Sequence, residues 1–112
     1  PSHPRPSIST YETCLSAALA LIPPETHAVV QGPGAPNVAV DSRAVAPDML
    51  ERYREVHAMS RRVAEAHGTL FVDRWDTVNA GFYVEGSPRP TLGAHSAWGH
   101  LLGAELLQAG IV

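Results

Sequence analysis

Lysine is missing from this 112-residue chain, whose eight basic side chains are all arginine, set against eleven acidic ones for a net charge of −3. The arginines are not gathered into one block, so the electrostatic footprint of a nucleic-acid binder is lacking. A single cysteine, Cys14, excludes an internal disulfide and any multi-cysteine zinc site. It lies at helical spacing among apolar residues, where a packed thiol is expected. No run of 18 apolar residues occurs, so no membrane span is expected. The length suits one small domain with a single core, burying about 60 to 70% of the unfolded surface.

What the chain does have is punctuation, in the form of ten prolines and nine glycines. Pro1, Pro4 and Pro6 prevent a regular helix, so residues 1–7 are expected to form an extended arm ahead of a single α/β unit over residues 8–112. Ser9 and Glu12 fit a capping box, and Ile8, Tyr11, Leu15, Ala18 and Ile22 make one apolar stripe that stops at Pro23 and Pro24. These predict a helix over residues 9–21. Residues 26–31 are apolar at their centre and lie between Pro24 and Gly32-Pro33-Gly34, which suits a buried strand.

A long helix is bracketed by Pro47 at its first turn, Asp48 and Glu51 near its positive end, and Gly68 beyond its far end. Leu50, Tyr53, Val56, Ser60, Val63 and His67 mark its inner face. Residues 69–73 then form a second strand. Strand, long helix and strand within about 45 residues make a βαβ unit, which requires parallel pairing and a right-handed crossover. A closing helix follows, with Trp98, Leu101, Leu102, Leu106 and Ala109 at helical spacing before Gly110.

Several polar residues are candidates for chemistry. Asp73 and Asp76 lie at the carboxyl end of the second strand, where they can cap the short turn containing Trp75, serve acid/base chemistry, or hold a metal. His57 and His67 are ten residues apart, not the four of a helical metal pair, and are expected to be exposed or to cap; no metal or cofactor is called for. Asn37 lies in the loop over residues 32–46, where it either faces a substrate or belongs to an ordinary surface connection.

The most informative stretch is Thr91-Leu92-Gly93-Ala94-His95-Ser96-Ala97-Trp98-Gly99-His100. His95 is expected in a glycine-bearing loop at or just before the last helix, with Gly93 permitting a tight turn, Gly99 permitting one or interrupting the helix, and His100 on another side. Together with Phe71-Val72-Asp73-Arg74-Trp75-Asp76, this stretch resembles the C-terminal part of SGNH (GDSL-type) hydrolases. Their last motif is Asp-x-x-His followed by a small-residue turn and a closing helix. His95 falls on the family's histidine. Leu92 falls where the family has its aspartate, and a leucine cannot orient an imidazole; Asp73 or Asp76 is the substitute orienter if the fold brings one within reach.

The resemblance implies a partial flavodoxin-like three-layer α/β fold, with a βαβ unit and a closing C-terminal helix, completed by another segment. Nothing in the chain resembles the Gly-Asp-Ser nucleophile block or the Gly-x-Asn-Asp oxyanion block of the family. Both would belong to an upstream polypeptide segment of the same precursor, an expectation that the start at Pro1 rather than methionine agrees with. His95 would then serve as the base of an ester hydrolase acting on a small ester or acylated carbohydrate. The alternative is a binding or structural assembly module that kept the scaffold without the chemistry.

Overall fold

A computed structural model describes residues 6–35, 47–77 and 90–111. Along them run helix α1 (Ile8–Ala20), strand β1 (Val29–Gln31), helix α2 (Pro47–Ala66), strand β2 (Leu70–Val72), a 3-10 turn (Trp75–Thr77) and helix α3 (Leu92–Gln108). The strands pair in parallel, Val29 opposite Leu70, Val30 opposite Phe71 and Gln31 opposite Val72. Parallel neighbours cannot be joined by a tight turn, and α2 supplies the crossover. The chain is therefore of mixed α/β class with a βαβ unit.

Each strand has three residues, shorter than the sequence pattern suggests, because neighbouring polar groups are spent elsewhere. Thr26 gives its N–H to Pro23 O at 3.0 Å in a turn ahead of β1. At the other end the Asp73 carboxylate accepts the Trp75 N–H at 2.9 Å, turning the chain out of β2. One further ladder bond, from Gly32 N–H to Val72 O at 3.1 Å, extends the pairing past β1.

Ser7, not Ser9, caps α1. Its backbone is extended and its Oγ accepts the Thr10 N–H at 3.1 Å. Glu12 does not reach back to close a capping box but crosses to Arg62 on α2. Arg52 gives a hydrogen bond to Pro6 O and lies over the Tyr11 ring, and Ser16 bonds His67 through Oγ and Nε2 at 2.9 Å. The inward face of α1 is thus Ile8, Glu12, Leu15 and Leu19, all half-buried, while Tyr11 (41% exposed) lies at the margin under Arg52 and Ala18 is exposed. Cys14 is exposed, contrary to the packed thiol expected of it, because α1 is covered on one side only and none of its residues is fully buried.

On α2 the inner face falls near the expected stripe and slightly around the helix from it: Met59, Ser60, Val63 and Ala64 are buried, Tyr53 is 38% exposed and His67 is exposed. With Val30, Val72, Ala94 and Trp98 they form the buried core of the described residues. Both α2 and α3 end in a left-handed glycine, Gly68 at φ +65° and Gly110 at φ +74°. At each end the residue after the glycine bonds back five residues, Thr69 N–H to Ala64 O at 2.8 Å and Ile111 N–H to Leu106 O at 3.0 Å. Leucine or alanine would resist that backbone conformation, and glycine accepts it.

Gly32 marks the tightest packing at the end of β1. A methyl group there would lie 2.5 Å from Phe71 Cζ and 3.3 Å from His57 Cδ2. Phe71 cannot swing clear without leaving the His57 ring, which it meets edge-on at 5.6 Å, and the Arg61 guanidinium above it. Gly32→Ala is expected to destabilise the fold by about 1–3 kcal/mol, the usual cost of overpacking. Urea unfolding checks it, and an unchanged midpoint would contradict this packing.

Candidate functional site at the strand carboxyl ends

In open parallel α/β sheets the carboxyl ends of the strands and the loops that leave them carry ligands, because backbone donors and helix termini converge there. Here those ends are Gly32 after β1 and Asp73-Arg74 after β2, and three aromatic rings and two arginines gather around them.

Asp73 is the centre of the first cluster. Its Oδ1 takes the N–H of Trp75 at 2.9 Å and the Nε2 of His57 at 3.1 Å, and its Oδ2 takes the Arg61 guanidinium. An ionised carboxylate only accepts, so His57 donates from Nε2, and a neutral His57 keeps its lone pair on Nδ1. The ring of His57 lies between Phe71 at 5.6 Å and Trp75 at 5.2 Å, with its side chain 18% exposed. His57 is therefore neither exposed nor a cap, as its spacing alone suggested. It pins the middle of α2 to the residue that ends β2.

Burial pushes the Asp73 carboxyl up, but the Trp75 N–H, the His57 ring and the Arg61 guanidinium outweigh that and hold it below its ordinary value of 3.8. The capping role expected for Asp73 is what the structure has, and the orienting role goes to His57, not to His95. Asp76 is exposed in the first turn of the 3-10 helix. Among the described residues, no group of three or more His, Cys, Asp or Glu side chains is placed to hold a metal.

Arg74 builds the second cluster. Its Nε donates to Gly32 O at 2.8 Å, and its guanidinium lies over the Trp98 ring with the carbon 4.8 Å from the ring centre. Through this residue the ends of both strands meet α3. Trp98 is buried, and its ring meets His95 edge-on at 5.6 Å.

The surroundings of His95 differ from the loop expected for it. Thr91 caps α3, with its Oγ1 accepting the Ala94 N–H at 3.1 Å, so Leu92, Gly93 and Ala94 already belong to the helix. His95 is the fourth helical residue, and its N–H bonds Thr91 O at 3.2 Å. Gly93 and Gly99 make no turn; a threonine cap four residues upstream of His95, followed by good helix spacing, was the signal for this earlier start. His95 is exposed, His100 is exposed further along α3, and Leu92 is 88% exposed with no group able to orient an imidazole. Asn37 lies outside the described residues.

Sequence reasoning named Asp73 as a cap but missed His57 and Arg61 as its partners, and it did not connect Arg74 to Gly32 or Trp98. Each arginine is separated from the group it hydrogen-bonds by more than ten residues, and no local periodicity reports such a contact. A slower-moving clue was available for His57: it sits one turn before Arg61 on α2, so one carboxylate can reach both.

The chemistry at this end of the fold divides in two. The His57 side chain is held and enclosed, a donor anchored on Asp73. His95 is unhindered, rigidly mounted on a capped helix, and lacks a carboxylate. No protein-family model, curated protein or solved structure matches the chain.

Asp73 generates a pH prediction. A carboxyl whose folded value lies below its ordinary one adds stability that is fully present above about 3.8 and is lost as the pH falls through the lower, folded value. The wild type should therefore exceed Asp73→Asn in stability at pH 7 by up to about 1 kcal/mol, the ceiling for pairs this exposed to solvent. The difference should shrink below pH 3.8. Urea midpoints at pH 7, 5 and 3 measure it; a gap that widens in acid would refute the assignment.

Proposed function

We propose that this chain is the histidine-bearing C-terminal segment of an SGNH-like ester hydrolase, with His95 as the proton-transferring base. The observation that carries the reading is the placement of His95: exposed, in the first turn of a threonine-capped helix, beside the tryptophan that Arg74 ties to the strand carboxyl ends. That is the region where an open α/β sheet presents its reacting groups. His57 is the weaker candidate for the same role, since Phe71, Trp75 and Gly32 crowd its ring.

In this reading β1, α2 and β2 are the C-terminal part of a flavodoxin-like three-layer fold. An upstream segment adds strands to the sheet and brings the serine nucleophile and the oxyanion donors. Among the described residues the sheet has two strands, and in this reading the upstream strands pair at an edge of it.

The serine hydroxyl attacks the ester carbonyl while its proton passes to a ring nitrogen of His95. The resulting imidazolium protonates the departing alkoxide, leaving an acyl-serine and the free alcohol. A water then attacks the acyl carbon, giving its proton to His95. Collapse releases the acid and returns the proton to serine, while backbone N–H groups of the partner stabilise the oxyanion at each stage. Small esters, including acylated carbohydrates, are the substrate class.

A second reading has its own observation. Leu92 stands exposed at the family's aspartate position and Asp73 is committed to His57 and Arg61, which favours a binding or assembly module without chemistry.

The two separate by experiment. The chain is purified from its native source, any companion polypeptide is sequenced by mass spectrometry, and hydrolysis of p-nitrophenyl acetate is assayed. A companion with a Gly-Asp-Ser block, and a roughly 10²–10⁴-fold loss of turnover in His95→Ala with folding intact, are the expected results. Unchanged turnover in that variant would end the catalytic assignment. Leu92→Asp should raise turnover, because a carboxylate three residues ahead of His95 lies on the same helix face.

A further inference from the structure

Resting on the proposal that His95 is the base, we infer that Arg74 and Trp98 are its positioning residues, an aromatic and cationic clamp in place of the carboxylate that Leu92 does not supply. A base needs its ring held in one orientation, and a carboxylate does this by a hydrogen bond to one ring nitrogen. Another way to hold an imidazole is to bound its rotation by a rigid neighbouring surface. Trp98 is three residues after His95 on α3, so both side chains project from the same helix face. Its ring stands at 84° to the imidazole with centroids 5.6 Å apart, an edge-to-face arrangement that aromatic pairs favour.

A tryptophan can fix a histidine only if it is itself fixed, and Arg74 does this. The guanidinium lies over the indole at 4.8 Å, within the range of a cation–π contact, and Nε is anchored on Gly32 O at 2.8 Å. Gly32 O in turn belongs to the backbone directly after β1, and Gly32 N–H is bonded to Val72 O of β2. The orientation of His95 is thereby referred to the sheet in four contacts: sheet to Gly32, Gly32 to Arg74, Arg74 to Trp98, Trp98 to His95. Arginine is suited to this where lysine is not, because its planar group stacks on an aromatic face while Nε still donates sideways.

The test reads the His95 ring in the intact chain and needs no companion segment. Heteronuclear NMR of the labelled chain gives the ring-proton shifts of each histidine, with His95→Gln identifying the His95 signals. In the wild type the His95 ring protons should carry the displacement caused by the Trp98 ring current. Trp98→Leu should abolish it. Arg74→Met should reduce it strongly, and Arg74→Lys by an intermediate amount, since lysine keeps the charge over the indole and loses the planar stack. The His27 and His67 signals, from the connection before β1 and the turn after α2, should stay in place in a variant whose amide spectrum remains folded. If Arg74→Met unfolds, Arg74→Lys carries the comparison.

His95 signals unchanged from wild type in a folded Arg74 variant would overturn the clamp. Loss of ester hydrolysis in His95→Ala with the clamp refuted would leave the proposed function standing. A confirmed clamp with no hydrolysis by the completed assembly would leave the clamp standing and remove its catalytic purpose.

Discussion

Parallel pairing of two three-residue strands is the constraint from which the rest of this structure follows. Once Val29 lies opposite Leu70 in the same direction, the chain between them must cross the sheet, and α2 is the segment that does so. Its buried residues, Met59, Ser60, Val63 and Ala64, then define the layer on which α1 comes to rest. The sheet is too small to bury much by itself: Val72 is the largest fully buried side chain of the described residues. Much of the joining of elements consequently falls to polar and aromatic contacts at the margins.

Those contacts are concentrated where the strands end. One carboxylate, Asp73, serves the 3-10 turn through Trp75 N–H and α2 through His57 and Arg61. The neighbouring residue, Arg74, serves β1 through Gly32 O and α3 through Trp98. Two consecutive side chains after β2 therefore reach the end of β1, the 3-10 turn and two helices. The lowered Asp73 carboxyl records the Trp75 N–H, the His57 ring and the Arg61 guanidinium gathered on it, which together outweigh the opposing effect of burial. α1 is held differently, by exposed contacts of Arg52 and Arg62 that solvent screens, and this agrees with its lack of any fully buried residue.

The same arrangement gives two histidines different surroundings. His57 has an orienting carboxylate but is enclosed by rings, so its hydrogen bond serves mainly to join α2 to β2. His95 has access to solvent and a rigid mount, and its orientation comes from an aromatic neighbour. A base that works on a nucleophile from another segment must be reachable from outside the chain, and of the two only His95 satisfies that condition. The proposed hydrolase reading therefore depends on what meets this face, whereas the joining of α2, β2 and α3 does not.

The local sequence was sufficient for the elements. Glycines at 68 and 110, the proline pair at 23 and 24, and the apolar repeat of residues 50–63 locate three helices, and the order of periodicities implies the parallel βαβ unit, because each of these signals acts over a single turn or strand. Helix starts were harder: Ser7 and Thr91 cap earlier than the apolar pattern suggests, since a cap is chosen by backbone donors and not by hydrophobicity. What only the tertiary structure decided was partnership. Asp73 lies 16 residues from His57 and 12 from Arg61, Arg74 lies 42 from Gly32, and Glu12 lies 50 from Arg62. Such pairs form because packing of α2 and α3 on the sheet brings the groups together, and a sequence read one turn at a time contains no record of that distance.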